Sequence, residues 1–217
     1  MTTGIIDPAR SQLIGIHGPL ESGKDTVAQL IISRFPLLYT QYAFAWPIKK
    51  ACQVMFGFTE KDMNDRVLKE RVHPVWGITP RKAMQLLGTE YGRNMIRKDI
   101  WIIRAKMEMD KNKEQGYGTV ISDVRFDNEA ELIHEQKGIL IHIDRPDLDT
   151  SSEKYNHESE QGIKRMDGDI IIINDGTLED LQNNLQSALC AICFESLTPS
   201  EASRIAFKNA KDWNLNA

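Results

Sequence analysis

The apolar positions of this chain follow two alternating periods. Leu13 to His17, Thr119 to Asp123, Ile139 to Ile143 and Asp169 to Ile173 are strand-length runs, apolar almost throughout. Runs of that kind belong to strands covered on both faces. Leu37 to Phe44 alternates loosely and predicts one more strand. Between these runs the period lengthens to that of a helix. Val27, Leu30, Ile31 and Phe35 mark a helix over Thr26 to Phe35, stopped by Pro36. Pro47 fits the first position of a helix over Ile48 to Phe56. Thr79-Pro80 opens another, with Ala83, Met84, Leu86 and Leu87 as its core stripe and Gly88 as its expected end. Further helices are predicted over Asp99 to Asp110, over Asn128 to Gln136, and from a Thr177 cap along Leu178, Leu181, Leu185, Leu189 and Ile192.

Strand and helix take turns through most of the chain. This predicts an α/β fold of three layers, with a central, mostly parallel sheet between helices. Ligands of such sheets bind at the carboxyl ends of the strands. The loops after Leu13–His17 and after Thr119–Asp123 should therefore line one site. Residues 1–11 read as a loose leader and 12–194 as the folded domain. Within it, 57–78 reads as a helical lid or insertion; its Glu60 to Arg71 stretch carries four acidic and four basic residues, a composition that suits a solvated loop equally well. Residues 195–217 form a separate tail, where Thr198-Pro199-Ser200-Glu201 predicts the capped start of an extra C-terminal helix.

Chemistry enters at Gly18-Pro19-Leu20-Glu21-Ser22-Gly23-Lys24-Asp25-Thr26. Gly, four residues, Gly, Lys, placed between a strand and a helix, is the phosphate-binding loop of P-loop NTPases. Its glycines let backbone N–H groups close around phosphate oxygens, and the helix that follows points its positive end at the same anion. Lys24 adds a full charge. The next position usually carries a Ser or Thr that holds Mg²⁺. Here it is Asp25, followed by Thr26, so the metal is expected either on Asp25 or one residue later.

Ser122-Asp123-Val124-Arg125 ends a second strand on an acid, where such proteins hold a water or the metal, with an arginine two residues on that can pair a phosphate. Arg81 and Lys82 lie in the first turn of a helix, where cations are disfavoured unless an anionic ligand is near.

With 217 residues, 41% hydrophobic and 27% charged, the chain has ordinary globular proportions. A formal net charge of −4 argues against broad nucleic-acid binding. Its three cysteines, Cys52, Cys190 and Cys193, make no disulfide scaffold and are expected to be core residues. No apolar run is long enough to span a membrane, and the N-terminus lacks a signal pattern, so the cytoplasm is the expected compartment.

From Leu13 to Leu189 the order of motifs resembles the deoxynucleoside monophosphate kinases of tailed bacteriophages, within the adenylate-kinase-like P-loop superfamily. The resemblance rests on Gly23-Lys24-Asp25-Thr26, Pro47-Ile48-Lys49, Thr79 to Glu90 and Asp99-Ile100-Trp101-Ile102. It continues through Ser122 to Arg125, Asn128-Glu129, Ile143-Asp144-Arg145-Pro146, Asp167-Gly168-Asp169 and Asn174 to Glu179. The family also carries Asp after the loop lysine. His157-Glu158-Ser159-Glu160 fits the family pattern without an assigned role.

The resemblance implies transfer of the γ-phosphoryl group of ATP to a deoxynucleoside 5′-monophosphate, with Mg²⁺, and small nucleotides as partners in the cytoplasm of a phage's host. It implies that Gly18, Ser22, Gly23, Lys24, Asp25, Thr26 and Arg145 serve ATP, with Asp25 and Thr26 toward the metal. Ile48, Lys49, Arg81, Gly88, Thr89, Trp101, Asp123, Arg125 and Glu129 would serve the monophosphate. Lys24, Arg81, Asp123 and Arg125 would carry the catalysis. Trp101 is open between stacking on a base and packing in the core. Related enzymes are often dimers, so a homodimer is compatible, and base preference is left open. Two other readings remain: a P-loop kinase for another phosphorylated acceptor, such as phosphomevalonate or dephospho-coenzyme A, and an NTP-dependent switch acting on a protein partner.

Overall fold

The computed structural model describes residues 12–149, 151, 157–160 and 162–194, with side chains as far as Leu189. The leader, the tail helix and the side chains of Cys190 and Cys193 lie outside the described residues. In chain order the elements are β1 (Leu13–His17), α1 (Lys24–Arg34), β2 (Tyr39–Tyr42), α2 (Ala45–Phe56), α3 (Glu60–Asn64), α4 (Pro80–Gln85), α5 (Ile100–Glu114), β3 (Gly118–Val124), α6 (Asp127–Glu135), β4 (Ile139–Asp144), β5 (Ile170–Ile173) and α7 (Leu178–Phe194). The strands form one sheet in the order β2-β3-β1-β4-β5, and every pairing is parallel.

The two-residue period of the strands divides the core between the faces of the sheet. Ile14, Ile16, Val120, Ile141, Ile143 and Ile172 meet Val27, Ala28 and Ile31 of α1 and Leu181 and Leu185 of α7. Leu13, Ile121 and Leu140 meet Ile102 and Ala105 of α5 and Ala130, Leu132 and Ile133 of α6. The three-layer prediction holds. Gly15 is what lets α6 lie close to the sheet, since a Cβ there would come within 2.8 Å of Ile133.

A third, smaller core joins Cys52, Phe58, Met63 and Ala83, with Ile48, Met84 and Leu87 against them. It anchors the charged segment 57–78: Met63 of α3 is fully buried, and the 3₁₀ turn Leu68–Glu70 follows it.

Two of the element ends that differ from the sequence reading do so for a tertiary reason. α2 starts at Ala45, not beyond Pro47, because the Asp123 carboxylate accepts the N–H groups of Phe44 (2.7 Å) and Ala45 (2.9 Å). A cap supplied by a distant strand is invisible in local sequence. Gly88 does not end its helix. α4 continues as a wide π-helical segment, Leu86–Ile96. A Cβ on Gly88 would lie 2.9 Å from Ile48, and one on Gly92 2.7 Å from Trp101. These glycines mark close approach to α2 and α5, not a terminus.

Candidate active site

The loop between β1 and α1 is folded as its motif requires. Gly23 caps α1 with a left-handed backbone, φ 104°. A Cβ there would strike Asn174, whose side-chain N–H donates to the Ser22 carbonyl at 2.8 Å. A Cβ on Gly18 would sit 2.5 Å from Ser22 Oγ. That hydroxyl is buried and has no hydrogen-bond partner among the described residues. Lys24 is buried, and its Nζ donates to the Pro19 carbonyl at 2.7 Å. Burial, with repulsion from Arg125 behind it, pushes the Lys24 ammonium down to about 8. Asp25 and Thr26 stand exposed in the first turn of α1, and neither side chain makes a hydrogen bond among the described residues.

Glu21 adopts φ 66°, the left-handed region that a residue with a Cβ enters only at a cost of roughly 1–2 kcal/mol. Glycine avoids that strain but gives back about 0.5–1 kcal/mol through the entropy of the unfolded chain. Glu21→Gly should therefore raise stability by about 0.5 kcal/mol in urea denaturation; a loss of that size or more would show that contacts of the Glu21 side chain outweigh the strain. The Glu21 carbonyl accepts from Arg145 Nη1 at 3.0 Å. Beside this contact lies a cavity of about 250 Å³, whose lining includes Glu21, Arg66, Arg145, Leu148, Asn174 and Gly176.

The end of β3 lies alongside. The β1–β3 register slips between Gly15 and His17, and the Val124 carbonyl accepts from the His17 imidazole at 2.9 Å. Burial pushes His17 down to about 4, so it is a neutral strut at this edge. Half-buried Asp123 caps α2 with both oxygens. Desolvation pushes its carboxyl up, against the two backbone N–H groups and nearby Arg125. A carboxylate that accepts two hydrogen bonds still has lone pairs for a water or metal. Arg125 pairs with Glu160, and its Nη1 lies 3.5 Å from the Ser159 carbonyl.

The other expected cations come from the helical side. Arg81 pairs with Glu70, and Lys49 Nζ donates to Asn64 Oδ1 at 2.7 Å. Lys69, which the sequence reading did not single out, joins them. Burial, then repulsion from Lys49 and Arg81, pushes it down to about 8.

Several expected ligand contacts have other work in the structure. Glu129 is 1% exposed and both its oxygens are engaged, one by Arg93 and the other by the N–H groups of Arg125 (2.7 Å) and Phe126 (3.2 Å). It fixes the turn that presents Arg125. Trp101 donates its indole N–H to the Gly88 carbonyl at 2.8 Å and packs its ring edge against Gly92. Only a ring face is left for a base. Ile48 packs on Gly88, and Thr89 is buried in the same wide helix.

Arg93 was missed altogether. It is the buried partner of Glu129 and lies 3.8 Å from the centre of the Phe126 ring. It stands five residues after Gly88, one wide turn of a π-helix, and a search at the ordinary helical period hides that relation. Among the described residues no group of three or more His, Cys, Asp or Glu side chains is placed to hold a metal.

A parallel sheet, a phosphate loop at its central strand and cations from the end of the next strand and from the helical side define a P-loop phosphotransferase. The sequence model of the deoxynucleotide monophosphate kinases matches residues 55–185. A deoxynucleotide monophosphate kinase homologue of Acanthamoeba polyphaga mimivirus is 34% identical over 191 residues, covering 82% of this chain and 95% of that protein. The deoxynucleoside-5′-monophosphate kinase of Escherichia phage T5 is 29% identical, covering 87% of this chain and 98% of its own length. The chain therefore belongs to the deoxynucleotide monophosphate kinase family. Among solved structures, the dephospho-CoA kinase from Campylobacter jejuni aligns over 86% of the chain with a TM-score of 0.47 and 14% identity.

Proposed function

We propose that the chain transfers the γ-phosphoryl group of ATP to the phosphate of a deoxynucleoside 5′-monophosphate through the residues gathered at this sheet edge. The observation that carries the reading is their convergence. Lys24, in the triphosphate loop, and Arg125, from β3, lie close enough to repel each other, and Arg81, Lys49 and Lys69 close the same cluster from the helical side. Five converging cations, two of them held by Glu70 and Glu160, suit two phosphates brought together better than one.

In this reading Gly18, Ser22, Gly23 and Lys24 hold the donor phosphates. Arg145 and the cavity beside it hold the donor nucleoside. Arg125, Arg81, Lys49 and Lys69 hold the acceptor phosphate, with a face of Trp101 toward its base. An oxygen of the acceptor phosphate attacks the γ-phosphorus in line, the bond to the β-phosphate oxygen breaks, and ADP leaves. The acceptor oxygen is already anionic, so no base has to remove a proton. Catalysis is positioning and charge stabilisation. Asp25 and Thr26 offer unengaged oxygen donors at the loop, a set that suits Mg²⁺ when phosphates and waters complete its shell. Mg²⁺ bound there would shield the phosphates' charge. In this reading the enzyme works on small nucleotides in the host cytoplasm, and a homodimer is compatible with it.

No helix among the described residues is long and apolar enough to cross a membrane. A coupled assay with ATP, Mg²⁺ and each of dTMP, dGMP, dCMP, 5-hydroxymethyl-dCMP and dAMP tests the reading. ADP release should depend on at least one monophosphate; release that ignores all five would replace it with a nucleotide-hydrolysing switch.

A further inference from the structure

The segment between β4 and β5 brings one acid into the phosphate cleft. Glu160 lies on the 3₁₀ turn Glu158–Glu160, and its side chain is only 3% exposed. One carboxylate oxygen pairs with Arg125, and the other accepts the N–H of Leu20, within the phosphate loop, at 3.1 Å. A buried carboxylate is expensive unless both oxygens are satisfied. Here they are satisfied by the two elements that the reaction must hold apart at a fixed distance: the backbone of the donor loop and the arginine of the acceptor site. The neighbouring Ser159 carbonyl lies near the same Nη1. Nε and Nη2 of Arg125 make no hydrogen bond among the described residues, so the contact orients the guanidinium through one amino group and leaves its other donors for phosphate.

We propose that Glu160 is a positioning residue for phosphoryl transfer, a brace that sets Arg125 against the donor loop. This rests on the kinase reading above. The brace touches neither phosphate in that reading, so it acts on the rate of transfer more than on binding.

The test is steady-state kinetics with the best monophosphate acceptor. Glu160→Ala should lower kcat by about 10²-fold, the scale of an ångström-sized misplacement. KM for ATP and for the monophosphate should stay within about threefold. Glu160→Gln keeps an oxygen for the Leu20 N–H and should recover part of the loss. In an Arg125→Ala background, Glu160→Ala should lower kcat no further, because the two act as one unit. A kcat within about threefold of wild type in both single variants would overturn the proposal. So would additive losses in the double variant. A lower KM for ATP with kcat kept would also overturn it, and would make Glu160 a plug that phosphate displaces. Wild-type enzyme runs alongside: turnover absent there defeats the kinase reading, whereas normal wild-type turnover with unaffected variants defeats only the brace.

Discussion

Arg125→Ala should reduce phosphoryl transfer about 10³-fold, the lower end of what an arginine that clamps transferring phosphates contributes. The argument runs from placement. Arg125 follows β3 directly, and its side chain is 24% exposed, held by Glu160 and the Ser159 carbonyl. Burial disfavours its charge, and the carboxylates of Asp123 and Glu129 offset that cost. A cation already held in place needs less solvent reorganisation when the γ-phosphoryl group moves. Lysine at this position should recover little, since it offers a point charge where a planar fork is braced on one side. Removing Arg125 also strands Glu160 in a buried position, so the decisive comparison uses Arg125→Ala together with Glu160→Gln. That pair should be well folded by thermal melting and still slow. Turnover within tenfold of wild type would take Arg125 out of the mechanism.

The second large effect concerns stability. Arg93→Ala should cost about 3–5 kcal/mol, the penalty of leaving a buried carboxylate without its counter-charge. Native domains have roughly 5–15 kcal/mol in total, so the variant would be close to unfolding. The sign of its pH dependence follows from Glu129. Desolvation pushes the Glu129 carboxyl up to about 7, with Arg93 pulling the other way. A carboxyl raised in the folded chain binds its proton more readily there than when unfolded. Its contribution to stability is therefore present at low pH and lost as pH rises through that window. Without Arg93 the group is raised further, so the deficit should be smaller at pH 5 than at pH 8 in urea titrations. A loss below about 1 kcal/mol at pH 8 would mean that water reaches Glu129.

The fold was largely legible because its information is local. The strand over Leu13–His17 was read to the residue, and the Thr79 and Thr177 caps and the loop glycines each carry their signal within a few positions. Asp123 shows where that ends. Its chemistry was visible, but its grip on the start of α2 comes from a strand far along the chain. The resemblance implies Glu129 as part of the monophosphate site; only the fold brings Arg93 to it. The wide helix hid Arg93 itself, since its residues repeat at a spacing that no ordinary periodicity search rewards. Glu160 belonged to a recognised pattern without a task, and the task appears only when the loop around Leu20 is placed beside it.

The strand order carries a consequence for how the protein is made. Of the described strands β1 is made first and ends in the centre of the sheet, yet both its neighbours, β3 and β4, are synthesised more than one hundred residues later. No hairpin can shelter it in the meantime. Folding must wait for distant segments, which makes it slow and leaves a sticky nascent intermediate. Cells producing this enzyme at high level should need chaperone capacity during translation, or cooler growth, to keep the newborn chain from clumping.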